Sequence, residues 1–136
     1  MAADELSGTC LCGTVKFKVT PPFTAFRYCY CSRCRKASGS AHAANLFVPE
    51  AQFQWVAGEA SVKRFDLPGA KRFAVSFCPE CGTRVPHKIN TTENVLIPAG
   101  LLDGEIEVRP EQGIFWASKA NWYVSPETLP KFSEYT

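Results

Sequence analysis

The sequence lacks the features that mark most specialised classes. It has no run approaching ~20 apolar residues, so no membrane span is expected. Its first residues carry neither a basic start nor an apolar stretch, so no signal peptide is expected and the cytoplasm is the expected compartment. Net charge is only +2 over 136 residues, too balanced for a chain whose task is to grip a nucleic-acid backbone. No linker, low-complexity run or long helical period interrupts it. Histidine is scarce, with two in the whole chain, and no convincing general base stands out.

What remains is an ordinary globular composition, 46% hydrophobic and 21% charged, which fits one soluble domain over residues 1–136. A chain of this size hides roughly two-thirds of its unfolded surface, enough for a real core. Short alternating segments recur between turn residues about every ten positions. Val15, Phe17 and Val19 alternate with Lys16 and Lys18 before Pro21-Pro22, as in a half-buried strand. Further strands are expected over 23–30, 43–48, 53–56, 61–65, 72–77, 83–89, 95–97, 105–108 and 114–116. Residues 35–40 read as a turn or a single helical turn, and Ser125-Pro126-Glu127 as the cap of a short helix. The expected fold class is all-β, a single twisted-sheet domain with few or no long helices.

The one abundant unusual residue is cysteine, seven in all. An odd number without a secretory context argues against a disulfide framework and for metal binding. Cys29, Cys31 and Cys34 lie within six residues. Cys29 and Cys31 are spaced to share a strand face, and a turn would return Cys34 toward them. The remaining four form two pairs that echo each other: Cys12-Gly13-Thr14 and Cys81-Gly82-Thr83 both close a pair and run into a strand. Glycine there suits a tight turn with positive φ. The echo assigns Cys10, Cys12, Cys78 and Cys81 to one closed, structural zinc site, with mononuclear iron as the competing occupant.

The triplet leaves a tetrahedral ion one ligand short, which is the layout of a catalytic zinc. A sulfur-rich zinc suits exchange with an incoming thiol better than strong activation of water. His42, eight residues after Cys34, is a candidate to close that site; His87 reads as a strand residue. Arg27, Arg33, Arg35 and Lys36 surround the triplet, and Arg33, Arg35 and Lys36 are candidate contacts for a substrate carboxylate. Their alternative is a solvated rim that offsets thiolate charge. Trp116, Trp122 and Tyr123 read as core packing or as a pocket wall.

The run Cys10-Leu11-Cys12-Gly13, Cys29-Tyr30-Cys31-Ser32-Arg33-Cys34-Arg35-Lys36, Gly39 and Phe77-Cys78-Pro79-Glu80-Cys81-Gly82 resembles the glutathione-dependent formaldehyde-activating enzyme family, grouped with centromere protein V. Ser118-Lys119-Ala120-Asn121-Trp122 and Leu129-Pro130-Lys131-Phe132 follow its pattern too, except that Asn121 stands where proline is expected. The resemblance implies a fold of β-tent type and two zinc ions, one on Cys10, Cys12, Cys78 and Cys81 and one on Cys29, Cys31 and Cys34. It implies addition of glutathione to formaldehyde, a carbon–sulfur lyase reaction read in reverse. The expected partner is a small-molecule thiol, with no nucleic acid and no membrane. The alternative is a non-catalytic zinc module that binds a protein or nucleic acid, as the centromere-protein branch suggests.

Overall fold

The computed structural model describes residues 4–136. Among them are eleven strands in three open sheets and one α-helix, so the β class stands. The first sheet joins β1 (Leu6–Thr9), β2 (Lys16–Val19) and β5 (Phe53–Ala57) in the order β1-β2-β5. The second contains β3 (Ala25–Cys29), β4 (Ala43–Pro49), β9 (His87–Lys88), β10 (Asn94–Pro98) and β11 (Gln112–Ile114), ordered β11-β3-β4-β10-β9. The third is β6 (Lys63–Asp66), β7 (Ala74–Phe77) and β8 (Arg84–Val85). No helix of the described residues is long and apolar enough to cross a membrane.

Strand periodicity explains how the second sheet divides its faces. Successive side chains alternate sides. Phe26, Leu46, Val48, Val95 and Ile97 fall on one side, where they meet Phe17 and Val19 of the first sheet in the main core. Each such buried side chain contributes about 1.5–3 kcal/mol. Their neighbours Arg27, Cys29, Asn45, Phe47 and Leu96 take the other side and front a cleft. One sheet therefore supplies both core and site.

Three expected elements differ in an informative way. The strand expected over 83–89 is two strands, because Pro86 interrupts it. Proline has no N–H for a ladder, and here the chain leaves the third sheet and enters the second. Residues 105–108 form no strand; of that alternating stretch, Ile106 packs against the core. The turn or single helical turn expected at 35–40 is part of a longer helix, α1 (Ser32–Ser38), which starts earlier because Cys31 caps it.

Candidate metal centres and the cationic cleft

The two cysteine pairs that echo in sequence also fold alike. The Cys10 N–H donates to Val15 O at 3.0 Å, and the Cys78 N–H to Thr83 O at 2.9 Å. Gly13 (φ 83°) and Gly82 (φ 77°) both turn in the left-handed region, which costs glycine little. In each loop a threonine hydroxyl approaches the second sulfur: Thr14 Oγ1 is 3.1 Å from Cys12 Sγ and Thr83 Oγ1 is 3.2 Å from Cys81 Sγ. The loops are bound together, since the Leu11 N–H donates to Thr83 Oγ1 at 3.1 Å.

All four sulfurs lie within 4.8 Å of one another. Cys12 Sγ is 3.7 Å from Cys10 Sγ and 3.8 Å from Cys78 Sγ. Sulfurs on a tetrahedron with metal–sulfur bonds of about 2.3 Å stand about 3.8 Å apart, so this set fits a zinc-sized ion. Their surroundings separate the thiols as acids. The Thr83 hydroxyl holds the Cys81 thiol down at about 5, whereas burial pushes Cys78 up to about 11. Cys10, Cys78, Val15 and Val85 form a small core of their own beneath the cluster.

Cys29, Cys31 and Cys34 form the second cluster, again with sulfurs within 4.8 Å of one another. Cys29 ends β3; Cys31 caps α1, its sulfur accepting from the Cys34 N–H at 3.3 Å; Cys34 is buried in the first turn. Tyr30 points away from the sulfurs. It is buried among His42, Trp116 and Tyr123, with ring centroids at 4.9, 4.9 and 5.4 Å. Burial raises its phenol to about 12. The Cys34 thiol holds Cys29 down at about 6, and Cys29 in turn drives Cys34 far up. Three adjacent sulfurs thus cannot all ionise unaided, and a cation resolves that conflict. All seven cysteines are free.

His42 does not join the triad. Its ring stacks on Tyr28 at 4.1 Å and its Nδ1 lies 3.2 Å from Ala43 O. Among the described residues no histidine or acid lies with the three sulfurs as a fourth ligand. His87 is a buried strand residue, and it fronts the cleft. Burial and the nearby Arg84 and Arg64 depress its pKa to about 4, so it is neutral at pH 7. Trp116 and Tyr123 pack on Tyr30, and Trp116 also borders a shallow groove of about 430 Å³ on that side. Trp122 is exposed, and none of these three aromatics lines the triad's cleft.

That cleft, about 1090 Å³, is lined by the triad, by residues of the second sheet and by the 71–74 segment. Arg27, Arg33, Lys71, Arg72 and Arg84 line it, and no carboxylate does. Arg33 is the one sequence-level candidate cation of the three that lines it; Arg35 and Lys36 do not. Arg27 donates to Gln112 Oε1 at 2.8 Å, and Arg72 to Thr91 Oγ1 at 3.1 Å. Lys71, Arg72 and Arg84 have no local motif in the sequence to announce them. The nearest signal is that Arg84 follows the Cys81-Gly82-Thr83 knuckle directly.

The fold and these sites define a class: a β protein with a closed four-cysteine cluster and a three-cysteine cluster open to a cationic cleft. Residues 5–118 match the family model described as glutathione-dependent formaldehyde-activating enzyme. The chain belongs to that family. A 43-residue stretch is 51% identical to a Halomonas elongata protein named "Putative glutathione-dependent formaldehyde-activating enzyme". That match spans 30% of this chain and 27% of the relative's length. The crystal structure of a Rhodobacter sphaeroides protein superposes with a TM-score of 0.61 at 24% identity, covering 74% of this chain and 91% of that one. This likeness establishes a shared fold.

Proposed function

We propose that this protein is a zinc-dependent enzyme that adds a thiol, glutathione, to formaldehyde or a similar small carbonyl compound, a carbon–sulfur lyase reaction run in reverse. The observation that carries the reading is the triad of Cys29, Cys31 and Cys34 opening onto a cleft with five cations and no acid. Two zinc ions are proposed per chain. Cys10, Cys12, Cys78 and Cys81 would hold the structural ion and the triad the second. Bound zinc supplies an electrophilic centre that eases loss of the proton from a thiol beside it.

The chain's own residues do the rest. Arg33, Lys71 and Arg72 attract the carboxylates of an anionic thiol, guanidinium groups being well matched to carboxylate geometry. Phe47, Leu96 and Ile114 give the floor apolar surface that limits water around the reacting atoms. The sulfur then bonds to the carbonyl carbon, the C=O π pair moves to oxygen, and the proton released by the thiol ends on that oxygen. No oxidant or reductant is needed. Seven free cysteines fit a reducing compartment such as the cytoplasm. The reading calls for neither a nucleic-acid nor a membrane partner.

The test is stopped-flow measurement of thiol loss with glutathione and formaldehyde on zinc-loaded protein. Acceleration over the uncatalysed rate that disappears in Cys34→Ser supports the proposal. No acceleration by the wild type contradicts it, and would favour a non-catalytic binding module.

A further inference from the structure

Arg84 differs from the other cleft cations. It opens β8, three residues past Cys81, and its charge faces the thiols of Cys29, Cys31 and Cys34. Its Nε is fully buried and has no hydrogen-bond partner. The ion pairs among the described residues are Arg64–Asp66 and Lys88–Glu50, so no carboxylate of the protein pairs with Arg84. Arg27 and Arg72, by contrast, are each tied to a neutral side chain. A buried guanidinium N–H without a partner is costly; the triad thiols offset its charge without accepting that hydrogen bond, and a docked anion can do both.

Two other groups on the same cleft are unused. Asn45 and His87 are both about 95% buried, at 5% and 4% exposure, and Asn45 Oδ1 and His87 Nδ1 have no partner. Register places them well apart on the floor. Asn45 sits opposite Arg27 on β3, while His87 pairs with Leu96 on the far edge. The Pro86 crossing between sheets is what brings Arg84 and His87 to one cleft from two walls. Formaldehyde is neutral and has one heavy atom beyond its carbon. Its single oxygen can accept a hydrogen bond but carries no charge to pair with a guanidinium, and it cannot also reach Asn45 and His87 across this polar floor.

We infer that the carbonyl substrate is itself an anion, a small oxo acid whose carboxylate docks on Arg84 while its aldehyde carbon faces the triad. The inference rests on the thiol-addition reading and specifies its second substrate. The reaction balances as before: a C–S bond forms, the C=O π pair goes to oxygen, the thiol proton follows it, and the carboxylate is unchanged. The cations nearer the rim are left to the thiol, which divides the cleft into a thiol end and an oxo-acid end.

The experiment uses zinc-loaded wild type, Arg84→Gln and Arg84→Lys, with glutathione as thiol and glyoxylate or formaldehyde as carbonyl. Oxamate, an unreactive glyoxylate analogue, is titrated calorimetrically in parallel, and zinc content is measured for each variant. The expected result is a higher kcat/KM for glyoxylate than for formaldehyde in the wild type. Arg84→Gln should raise KM for glyoxylate and weaken oxamate about tenfold to a hundredfold, as loss of a charged hydrogen bond does. Arg84→Lys should recover part of both, with zinc content and KM for glutathione unchanged and kcat/KM for formaldehyde falling by much less than that for glyoxylate. The inference is overturned if Arg84→Gln affects both carbonyls equally, raises KM for glutathione instead, or loses zinc. If formaldehyde is accelerated and glyoxylate is not, the thiol-addition reading survives and this inference fails. If neither is accelerated, the thiol-addition reading fails too.

Discussion

Cys12 and Cys78 stand 66 residues apart in sequence and 3.8 Å apart at sulfur. Between them run β2 to β7, two strands of each of the three sheets. An ion held there ties the loop after β1 to the loop after β7, whereas the Cys29, Cys31 and Cys34 cluster closes only six residues. The two clusters therefore differ in what they hold together.

That difference predicts opposite behaviour for two substitutions of the same kind. Cys81→Ser should lose most of the thermal transition, because structural zinc binding of order 10 kcal/mol is part of folding. Cys34→Ser should keep a cooperative transition within a few degrees of wild type and lose one metal equivalent. Calorimetry with elemental analysis checks both. Equal unfolding in the two variants would make the second cluster structural.

Tyr30 separates the triad from the aromatic group behind it. Tyr30→Ala should cost about 3–5 kcal/mol, as truncation of a buried aromatic does, and should weaken metal retention at the triad. Tyr30→Phe keeps the contacts with Trp116, Tyr123 and His42 and should cost far less. Urea unfolding of both variants, with metal content, separates packing from loss of the hydroxyl.

The cations near the triad should not behave alike. Arg33→Ala removes a charge from the cleft and should weaken glutathione about tenfold or more, through a charged hydrogen bond of ~1.5–3 kcal/mol. Lys36→Ala, on the exposed face of α1 and outside the cleft, should change affinity and stability little. Titration of each variant with glutathione provides the comparison. Equal effects would return both residues to the role of a solvated rim.

His87 gives a pH signature. Its folded pKa of about 4 lies below the ordinary value of 6.5, so the unfolded chain binds the proton more readily. Its contribution to stability is complete above about pH 6.5, declines as pH falls toward 4 and is flat below that. The full effect is roughly 3 kcal/mol. His87→Gln should remove this component, so the wild-type minus variant difference in unfolding free energy should fall between pH 6.5 and 4. A difference independent of pH would contradict the buried, neutral ring.

How legible all this was in the sequence depends on range. The β class, the strands near 16–19, 43–48 and 95–97, and the grouping of the cysteines follow from local alternation and short spacing, and the structure brings the same groups together. The Cys-Gly-Thr echo is a local signal that survives folding as two similar loops. The cationic cleft is not local. Arg33 is visible because it lies between Cys31 and Cys34, but Lys71, Arg72 and Arg84 come to the cleft only through the tertiary fold. His42 looked available from its distance in sequence, yet strand alternation sends Tyr28 and Tyr30 to the face opposite the sulfurs, and His42 stacks with them. The break at Pro86 was readable as a lost donor, but that the chain changes sheet there was not.

The central claim is that Cys29, Cys31 and Cys34 hold a metal ion open to an incoming thiol. Cobalt(II) substituted into both clusters reports on this through thiolate-to-cobalt absorption. Titration with glutathione should bring the number of cobalt-bound sulfurs at the triad from three to four, shift that absorption, and leave the Cys10, Cys12, Cys78 and Cys81 signal unchanged. Cys34→Ser should abolish the shift. A spectrum that does not respond to glutathione in the wild type, with two cobalt ions bound, would contradict the account.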